Sequence, residues 1–254
     1  MKIRILGCGT STGVPRIGND WGGIDPAEPR NRRRRVSVLV SQGDTRILVD
    51  TGPDMREQLL DAAVERIDAV IWTHEHADHV HGIDDLRQLF HNGGGPLAGY
   101  AGARTLASLT ERFDYVFNGR WGYPATVVPH LLDDGLTIGG ITIRATEQPH
   151  GAITATGLLF TCGGNSIGYA TDFHELTDAA AALFAGVDLW ILDALRRKPH
   201  PSHNHLDRAL GYIDRVQPRR ALLTHMDNSM DYRSLLAQLP PHVEPAYDGM
   251  EIEL

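Results

Sequence analysis

The stretch His74-Glu75-His76-Ala77-Asp78-His79 decides how this chain is interpreted, because it places three histidines and an aspartate within six residues. The preceding segment Asp68–Thr73 has the pattern of a buried strand, and the following segment Val80–Phe90 has the pattern of a helix. A strand-to-helix turn lets such side chains converge above the edge of a sheet. Imidazole nitrogens together with a carboxylate are ligands of zinc, iron or manganese, so we expect a metal site here.

The composition is that of an ordinary globular protein of 254 residues, 42% of them hydrophobic, with a formal net charge of −8. Two cysteines, Cys8 and Cys162, are too few for a disulfide framework. The first apolar run, Met1–Gly7, is too short for a signal peptide and predicts a strand, and no segment has the apolar length of a membrane span. We therefore expect a cytoplasmic protein that does not enter a membrane.

Strand-like and helix-like segments are mixed along the chain with short connections. The predicted strands are Ile3–Cys8, Ser37–Ser41, Arg46–Asp50, Ala69–Thr73, Ile141–Ala145, Thr156–Thr161, Ser166–Thr171, Leu189–Asp193 and Ala221–Thr224. The predicted helices are Asp54–Val64, Ile83–His91, Ala103–Phe113, Leu176–Ala185, Leu206–Val216 and Tyr232–Leu239. Because no Pro/Ser-rich linker divides these segments, we expect one domain, residues 1–254, built from layers of strands and helices.

The segment from Pro15 to Arg35 has little hydrophobic periodicity and ends in Arg30-Asn-Arg-Arg-Arg-Arg35. Two interpretations stay open for the basic run Arg32–Arg35: a solvated loop, or a rim that attracts phosphate. A local basic cluster in an acidic protein fits an anionic substrate. It is too short to follow a long nucleic-acid backbone, so a nucleic-acid partner is disfavoured.

Three further polar residues follow apolar strand-like runs, the place where α/β folds gather their sites. His150 comes after the run that begins at Ile141, Asp172 follows Ser166–Thr171, and His225 follows Ala221–Thr224. Each of them alone fits a capping or solvated loop residue better than a ligand. As a set in this order, they extend the candidate metal site well beyond the first motif.

The complete series resembles the metallo-β-lactamase superfamily in its binuclear form: His-x-His-x-Asp-His, then His150, Asp172 and His225, with Asp50-Thr-Gly52 matching an early Asp motif. The resemblance spans the whole chain. It implies an α/β fold, a four-layer αββα sandwich. It also implies hydrolysis rather than redox chemistry, because a di-iron relative would carry Glu in place of His76.

The resemblance also implies a ligand set for two divalent ions, Zn or Mn. The implied ligands are His74, His76 and His150 for one ion, Asp78, His79 and His225 for the other, and Asp172 as a bridge. A bridging hydroxide would attack the substrate, and two cations would clamp the oxygens of an in-line displacement. Asp50 corresponds to a family residue that orients a ligand from behind.

The opening Gly7–Pro15 and the ending Tyr247–Ile252 look like the phosphodiesterase branch, which includes phosphoribosyl cyclic phosphate phosphodiesterases, and the opening is also similar to tRNase Z. In that branch a histidine between the last two ligand motifs contacts the scissile phosphate. The family spacing to two leucines selects His203 from the stretch Lys198–Leu206, with His200 and His205 as alternatives. His203, as a proton donor, and Asp78, as a ligand, are therefore the expected catalytic residues.

The chain departs from the cyclic-phosphate branch at an extra structural zinc, which that branch holds with three cysteines and a histidine. Asn19, Trp21, Ile24 and Asn228 stand at the corresponding positions, and none of them supplies a thiolate or imidazole. We expect packing of Trp21 and Ile24 to hold this loop instead. The long arm that tRNase Z uses to grip tRNA is also missing. Residues 93–130, which include Trp121 and Tyr123, are expected to form a substrate-covering loop or plain surface packing.

The sequence therefore predicts a binuclear hydrolase of a small phosphodiester, such as a ribosyl or nucleoside cyclic phosphate. The alternatives are a tRNA 3′-processing endonuclease, a thioester hydrolase of the glyoxalase II type and a metal-binding protein without turnover. The expected partner is a small anionic substrate, and association into a homodimer stays open.

The first testable prediction concerns metal content. Seven ligands form two sites and the loop 16–35 lacks the residues for a third, so elemental analysis of the purified protein should find no more than about two transition ions per chain. A reproducible third ion that resists mild chelation would contradict the interpretation of Asn19, Trp21, Ile24 and Asn228.

Overall fold

The computed structural model describes residues 1–254 and contains two seven-stranded mixed sheets. The strands of the first sheet are β1 Lys2–Gly7, β2 Ser37–Gln42, β3 Thr45–Val49, β4 Ala69–Trp72, β5 Leu97–Ala101, β6 Val127–Leu131 and β14 Glu251–Glu253. Their spatial order is β14-β1-β2-β3-β4-β5-β6. The pairs from β3 to β6 are parallel, and the other pairs are antiparallel.

The second sheet runs β13-β12-β11-β10-β9-β8-β7 in space. Its strands are β7 Leu136–Ile138, β8 Ile141–His150, β9 Ile153–Cys162, β10 Asn165–Ala170, β11 Leu189–Asp193, β12 Arg220–Thr224 and β13 Val243–Pro245. The strands β10 to β13 are parallel neighbours, while β7 to β10 pair antiparallel. Prolines lie in two outer strands, Pro129 in β6 and Pro245 in β13.

Eight helices cover the sheets. They are α1 Met55–Asp61, α2 Ala77–Val80, α3 Leu86–Gly93, α4 Ala103–Arg112, α5 Asp114–Asn118, α6 Asp178–Phe184, α7 Leu206–Val216 and α8 Tyr232–Leu236. No helix of the structure has both the length and the apolar character to cross a membrane.

Side chains point alternately to the two faces of each strand, so neighbouring residues of one strand enter different buried layers. In β3, Ile47 and Val49 belong to a cluster of 42 buried residues that joins both sheets and also includes residues of helices α6 and α7. Leu48 between them points the other way, into an 18-residue cluster that also contains Leu86 of α3 and Leu109 of α4. The first sheet is thus buried on both faces. The result is the expected four-layer αββα sandwich.

The carboxyl ends of the parallel strands position the candidate site. Asp50 follows β3 directly, Asp172 follows β10 by two residues, and His225 follows β12 directly. All three adopt positive φ, at 65°, 55° and 59°. Non-glycine residues seldom take this conformation, and it is found where the surrounding structure over-determines it, often at functional sites. These bends turn the side chains toward the edge where the two sheets meet.

Two local predictions were wrong. The single helix expected over Val80–Phe90 is broken: α2 ends at Val80, and a 3-10 turn at Ile83–Asp85 precedes α3. Gly82 lies at the break, where a Cβ atom would come 2.2 Å from the carbonyl oxygen of Gly52. The substrate-covering loop expected over residues 93–130 is also wrong, because this segment holds β5, α4, α5 and most of β6. The alternative of plain surface packing stays open, and α4 matches the predicted helix Ala103–Phe113.

Hydrogen bonds to Asn228 hold the loop that lacks the zinc ligands. The Asn228 side chain donates to Asp20 (3.2 Å), and the backbone carbonyl oxygen of Asn228 accepts the N–H of Gly23 (3.2 Å). Ile24 is buried as expected, whereas Trp21 is only half-buried and donates its indole N–H to Asn19 (3.1 Å). Polar contacts to the segment after β12 therefore supplement the expected packing.

The second prediction tests this contact through two neighbouring glycines. Gly22 has φ +58°, and a Cβ atom there would lie 2.4 Å from the carbonyl oxygen of Asn228, whereas a Cβ on Gly23 would meet nothing within 4 Å. Gly22→Ala should destabilise the protein by about 2–4 kcal/mol and lower Tm by roughly 5–15 °C. Gly23→Ala is the matched control, with a change below about 0.5 kcal/mol. Equal melting temperatures for the two variants would show that the contact does not stabilise the fold.

Candidate metal centre

Three imidazole nitrogens converge at the first half of the site. Nδ1 of His76 lies 3.1 Å from Nε2 of His74 and 3.1 Å from Nε2 of His150. The ligands of a tetrahedral ion with metal–nitrogen bonds of about 2.0–2.1 Å would lie about 3.3 Å apart, which is close to these separations. His74 is buried at the end of β4 and His76 is exposed, so the group opens to solvent on one side.

The second half combines two carboxylates with two imidazoles, and all four side chains are buried. Nε2 of His79 is 3.5 Å from Asp78 and 3.3 Å from Asp172. Nε2 of His225 is 3.5 Å from Asp78 and 3.4 Å from Asp172. Four ligand atoms from three separate segments thus surround one point.

Asp172 lies between the two groups. Its Oδ2 atom is 3.4 Å from Nε2 of His225, and 3.8 Å from Nε2 of both His74 and His150. One carboxylate therefore faces ligands of both groups. This position fits a residue that holds two cations at a fixed separation.

The donor atoms themselves indicate that this centre suits a cation. Nε2 of His79 and both ring nitrogens of His225 are buried without a hydrogen-bond partner. Leaving a buried polar atom unpaired costs about 1–3 kcal/mol, so such atoms call for a further ligand. Coordination of a divalent metal by the Nε2 atoms would satisfy them, and the mixture of imidazole and carboxylate fits such an ion.

Hydrogen bonds fix the Nδ1 atoms of His79 and His150, which point away from the metal site. Asp50 accepts the N–H of Thr73 (2.8 Å) and its hydroxyl (2.9 Å), and contacts Nδ1 of His79 at 2.7 Å. His150 donates its Nδ1–H to the carbonyl oxygen of Ser202 (2.9 Å). Each contact turns Nε2 toward the site and sets the tautomer of a ligand. Asp50 therefore lies behind His79, a position that fits the orienting role implied by the resemblance.

Burial and charge shift the pKa values strongly in this cluster. Burial, reinforced by the charge of His79, lowers the pKa of His74 well below its usual value, and burial raises the pKa of Asp50 against the opposing charge of His79. Burial also opposes ionisation of Asp172, but the neighbouring His225 and His79 outweigh it and hold the Asp172 pKa well below its usual value. For His79, burial is outweighed by the charges of Asp172 and Asp78, which raise its pKa. Asp172 therefore carries the negative charge that a cation needs.

His203 lies beside this cluster with its Nδ1–H directed to Asp193 (3.0 Å). Its ring stacks on His225, with centroids 4.7 Å apart at 11°, and the side chain is 12% exposed. Burial lowers the His203 pKa, but the charge of Asp193 and its hydrogen bond outweigh burial and raise the pKa to about 9. A cation in the neighbouring groups would oppose this rise. Because Nδ1 is engaged, Nε2 is the free atom of the ring.

Asp193 is the functional residue that sequence reasoning missed. Besides His203, it accepts the N–H groups of Phe173 (3.4 Å) and Asn204 (3.3 Å), and it lies 3.8 Å from Nδ1 of His225. It is fully buried at the last position of β11. The signal was present, because Asp193 ends an apolar strand in the same way as the other site residues.

The alternatives to His203 lie further from the ligand atoms. The ring of His200 is 5.1 Å from that of His203, and its Nδ1 accepts the N–H of Ser202. His205 precedes α7 as its N-cap residue. Neither residue belongs to a group of converging ligand atoms. The structure thus brings together all seven predicted ligands and His203, and leaves His200 and His205 at the margin.

Comparison with known proteins gives relatives of several activities. Octanoyltransferase of Porphyromonas gingivalis is 32% identical over 259 residues, which covers 99% of this chain and 51% of that protein. Ribonuclease Z of Bradyrhizobium sp. is 41% identical over 138 residues, which covers 50% of this chain and 44% of that protein. The chain therefore spans about half the length of these curated relatives.

Among solved structures, a diphosphatase described as a new member of the PhnP family is 33% identical to this chain. It superposes with a TM-score of 0.89 over 100% of this chain and 96% of its own. Zn²⁺-bound PqqB from Methylobacterium extorquens covers 100% of both chains with a TM-score of 0.80, but at 21% identity it supports the fold alone.

The family model for the beta-lactamase superfamily domain matches residues 45–226, which include all seven predicted ligands. With the αββα fold and the convergent histidines and aspartates already described, this match shows that the chain belongs to the metallo-β-lactamase superfamily of metal-dependent hydrolases.

Proposed function

We propose that this protein is a binuclear metal-dependent phosphodiesterase that hydrolyses small phosphodiesters, such as a ribosyl or nucleoside cyclic phosphate. The observation that carries the proposal is Asp172, whose carboxylate faces two separate groups of ligand atoms. His74, His76 and His150 would hold one cation, and Asp78, His79 and His225 the other. The solved diphosphatase, 33% identical over the whole chain, supports chemistry at phosphorus.

Two bound cations would neutralise phosphate oxygens and lower the pKa of water. The chain's own residues supply the rest. Asp50 and Ser202 keep the Nε2 atoms of His79 and His150 turned toward the site where the cations would bind. His203, oriented by Asp193, would direct its free Nε2 to the leaving oxygen and donate a proton to it. A general acid of this kind matters most for an alkoxide leaving group.

Cleavage of tRNA is the second candidate, because a stretch covering half of this chain is 41% identical to a ribonuclease Z. The net charge of −8 and the absence of a long Gly/Pro-rich arm disfavour it. A glyoxalase-type thioesterase would have no need for a proton donor such as His203, since a thiolate is a good leaving group. A small phosphodiester therefore fits the site best.

A comparison of substrates tests the proposal directly. The protein, loaded with Mn²⁺ or Zn²⁺, is assayed on a panel of cyclic and linear phosphodiesters, a lactoylglutathione thioester and a pre-tRNA. We expect turnover of the small cyclic or linear phosphodiesters and no turnover of the thioester or the pre-tRNA. Faster cleavage of the pre-tRNA or of the thioester would replace the proposed function with that alternative. Metal binding without turnover of any substrate would refute the proposal that the protein is an enzyme.

The third prediction concerns the bridging position. Asp172→Ala should lower metal occupancy and reduce kcat/KM on a phosphodiester more than about 100-fold, because both groups lose a shared ligand. Asp188→Ala is the control, since Asp188 is also hydrogen-bonded and mostly buried, but it lies at the opposite end of β11. Near-normal turnover with both ions retained in Asp172→Ala would show that the residue does not bridge.

The fourth prediction separates His203 from the metal ligands. His203→Ala should keep both ions but lose about 10²–10⁴-fold in activity on a cyclic phosphodiester with a poor alkoxide leaving group. The loss should shrink for a nitrophenyl ester, because nitrophenolate departs without a proton. Metal content, the melting temperature and both rates are measured.

His200→Ala and His205→Ala serve as neighbours for comparison. A large loss in one of them, with His203→Ala unaffected, would move the proton donor to that residue. Equal losses of His203→Ala on both leaving groups would exclude a general acid and leave a positioning role.

A further inference from the structure

A second polar cavity lies apart from the metal centre. It has a volume of about 660 Å³ and is enclosed by the end of β1, helix α1, the segment 29–35 and the turn 247–249. Six arginines line it, Arg4, Arg30, Arg32, Arg33, Arg34 and Arg35, against three aspartates. None of the proposed metal ligands contributes to its wall. The cavity therefore needs an explanation of its own.

The arginines of this cavity, called here the arginine cavity, are only partly neutralised. Four of the six have a carboxylate partner: Arg35 pairs with Asp54 (3.1 Å), Arg34 with Asp61 (2.6 Å), Arg4 with Glu251 (2.8 Å) and Arg30 with Glu28 (2.6 Å). Arg32 has no carboxylate partner within 4 Å, and its guanidinium stacks 5.2 Å from the ring centroid of Trp21. Arg32 and Arg33 are therefore the two wall arginines without a carboxylate partner, in a protein whose net charge is −8.

Arg33 adds a buried cation to this wall. Its side chain is 2% exposed and donates to the carbonyl oxygens of Asp227 (3.1 Å) and Met230 (2.6 Å) rather than to a carboxylate. A buried guanidinium that is hydrogen-bonded but not paired with an acid leaves a positive potential in its surroundings. Arg33 also lines the cavity itself.

Two donors remain available to a ligand. The pair Arg34–Asp61 is exposed on both sides, at 33% and 58%, so its attraction is weak in water and Arg34 can exchange partners. The Nε atom of Arg35 is buried without a properly oriented acceptor, although Asp54 is near. Guanidinium groups offer planar pairs of N–H donors that match the oxygens of phosphate.

The size of the arginine cavity selects the class of ligand. Pockets for small organic molecules measure about 300–1,000 Å³, and this one falls within that range. A single inorganic phosphate would fill little of it, and the basic residues are too local to follow a nucleic-acid strand. Tyr247 on the wall provides an aromatic surface next to the arginines.

We propose that the arginine cavity binds a phosphate-bearing small molecule of nucleotide size, independently of the metal centre. The proposal goes beyond the hydrolytic function and does not depend on it. The recognising groups are Arg32, which has no carboxylate partner, and Arg34 and Arg35, which would exchange Asp61 and Asp54 for phosphate oxygens. The binding is reversible and forms no covalent bond.

Calorimetric titration of the metal-loaded protein tests the cavity with two probes, α,β-methylene-ADP and inorganic pyrophosphate. The variant R32Q/R34Q removes two guanidinium groups, and R66Q/R219Q removes the same charge from exposed positions outside the cavity. The metal centre is unchanged in all three proteins. Any difference between the two variants therefore reports on the cavity.

We expect the wild type to bind the nucleotide analogue with Kd below about 1 mM, and R32Q/R34Q to raise that Kd at least tenfold, roughly what one lost charged hydrogen bond would cause. R66Q/R219Q should stay within about twofold of wild type. Similar weakening for pyrophosphate would identify the phosphates as the recognised group, and weakening for the nucleotide analogue alone would add a contribution from the nucleoside.

Equal Kd values in R32Q/R34Q and R66Q/R219Q, or no binding of either probe to wild type, would overturn the proposal. Melting temperatures guard against misfolding as the cause. If R32Q/R34Q is destabilised, the single variant Arg32→Gln gives the same test, because Arg32 is exposed and pairs with no carboxylate. Its expected effect is a several-fold rise in Kd, and an unchanged Kd contradicts the proposal.

Discussion

The burial of three carboxylates among imidazole rings is the constraint on which the rest of the structure depends. Asp50, Asp78 and Asp172 lie at the edge where the two sheets meet, and each costs several kcal/mol to bury without an opposite charge. Their partners come from both sheets, with His79 after β4 and His225 after β12. The sandwich must therefore keep the ends of its parallel strands together, and the long core between the sheets does so.

The strand-end pattern predicted most of the fold and of the site, because a polar residue after a buried apolar run is visible in the sequence. The same pattern is present at Asp193, but this residue is the last one of the predicted strand Leu189–Asp193, so it does not stand out from the strand itself. Strands at the sheet margins escaped notice, and so did β5 inside the first sheet. In β5, Gly99 interrupts the apolar alternation, and β14 is only three residues long. Contacts across the sheet define such strands, and local sequence does not.

The segment 15–35 shows why a run of like residues is hard to interpret. Arg32 is exposed and Arg33 is fully buried, although they are neighbours of the same type. Backbone carbonyl oxygens after β12 accept the hydrogen bonds of Arg33, and Asn228 holds the other end of the loop. Hydrogen bonds to a distant segment thus fix this loop without thiolate ligands. Neither partner could be identified from the arginine run itself.

The prolines in two outer strands affect how the protein behaves at high concentration, when many copies of it meet. An outer strand presents unpaired N–H and C=O groups that can template the addition of a foreign strand. Pro129 in β6 and Pro245 in β13 have no N–H to offer, so neither edge presents an unbroken ladder. The opposite edges, β14 and β7, are only three residues long. Fibril growth by edge-to-edge stacking is therefore disfavoured at every margin of the sandwich.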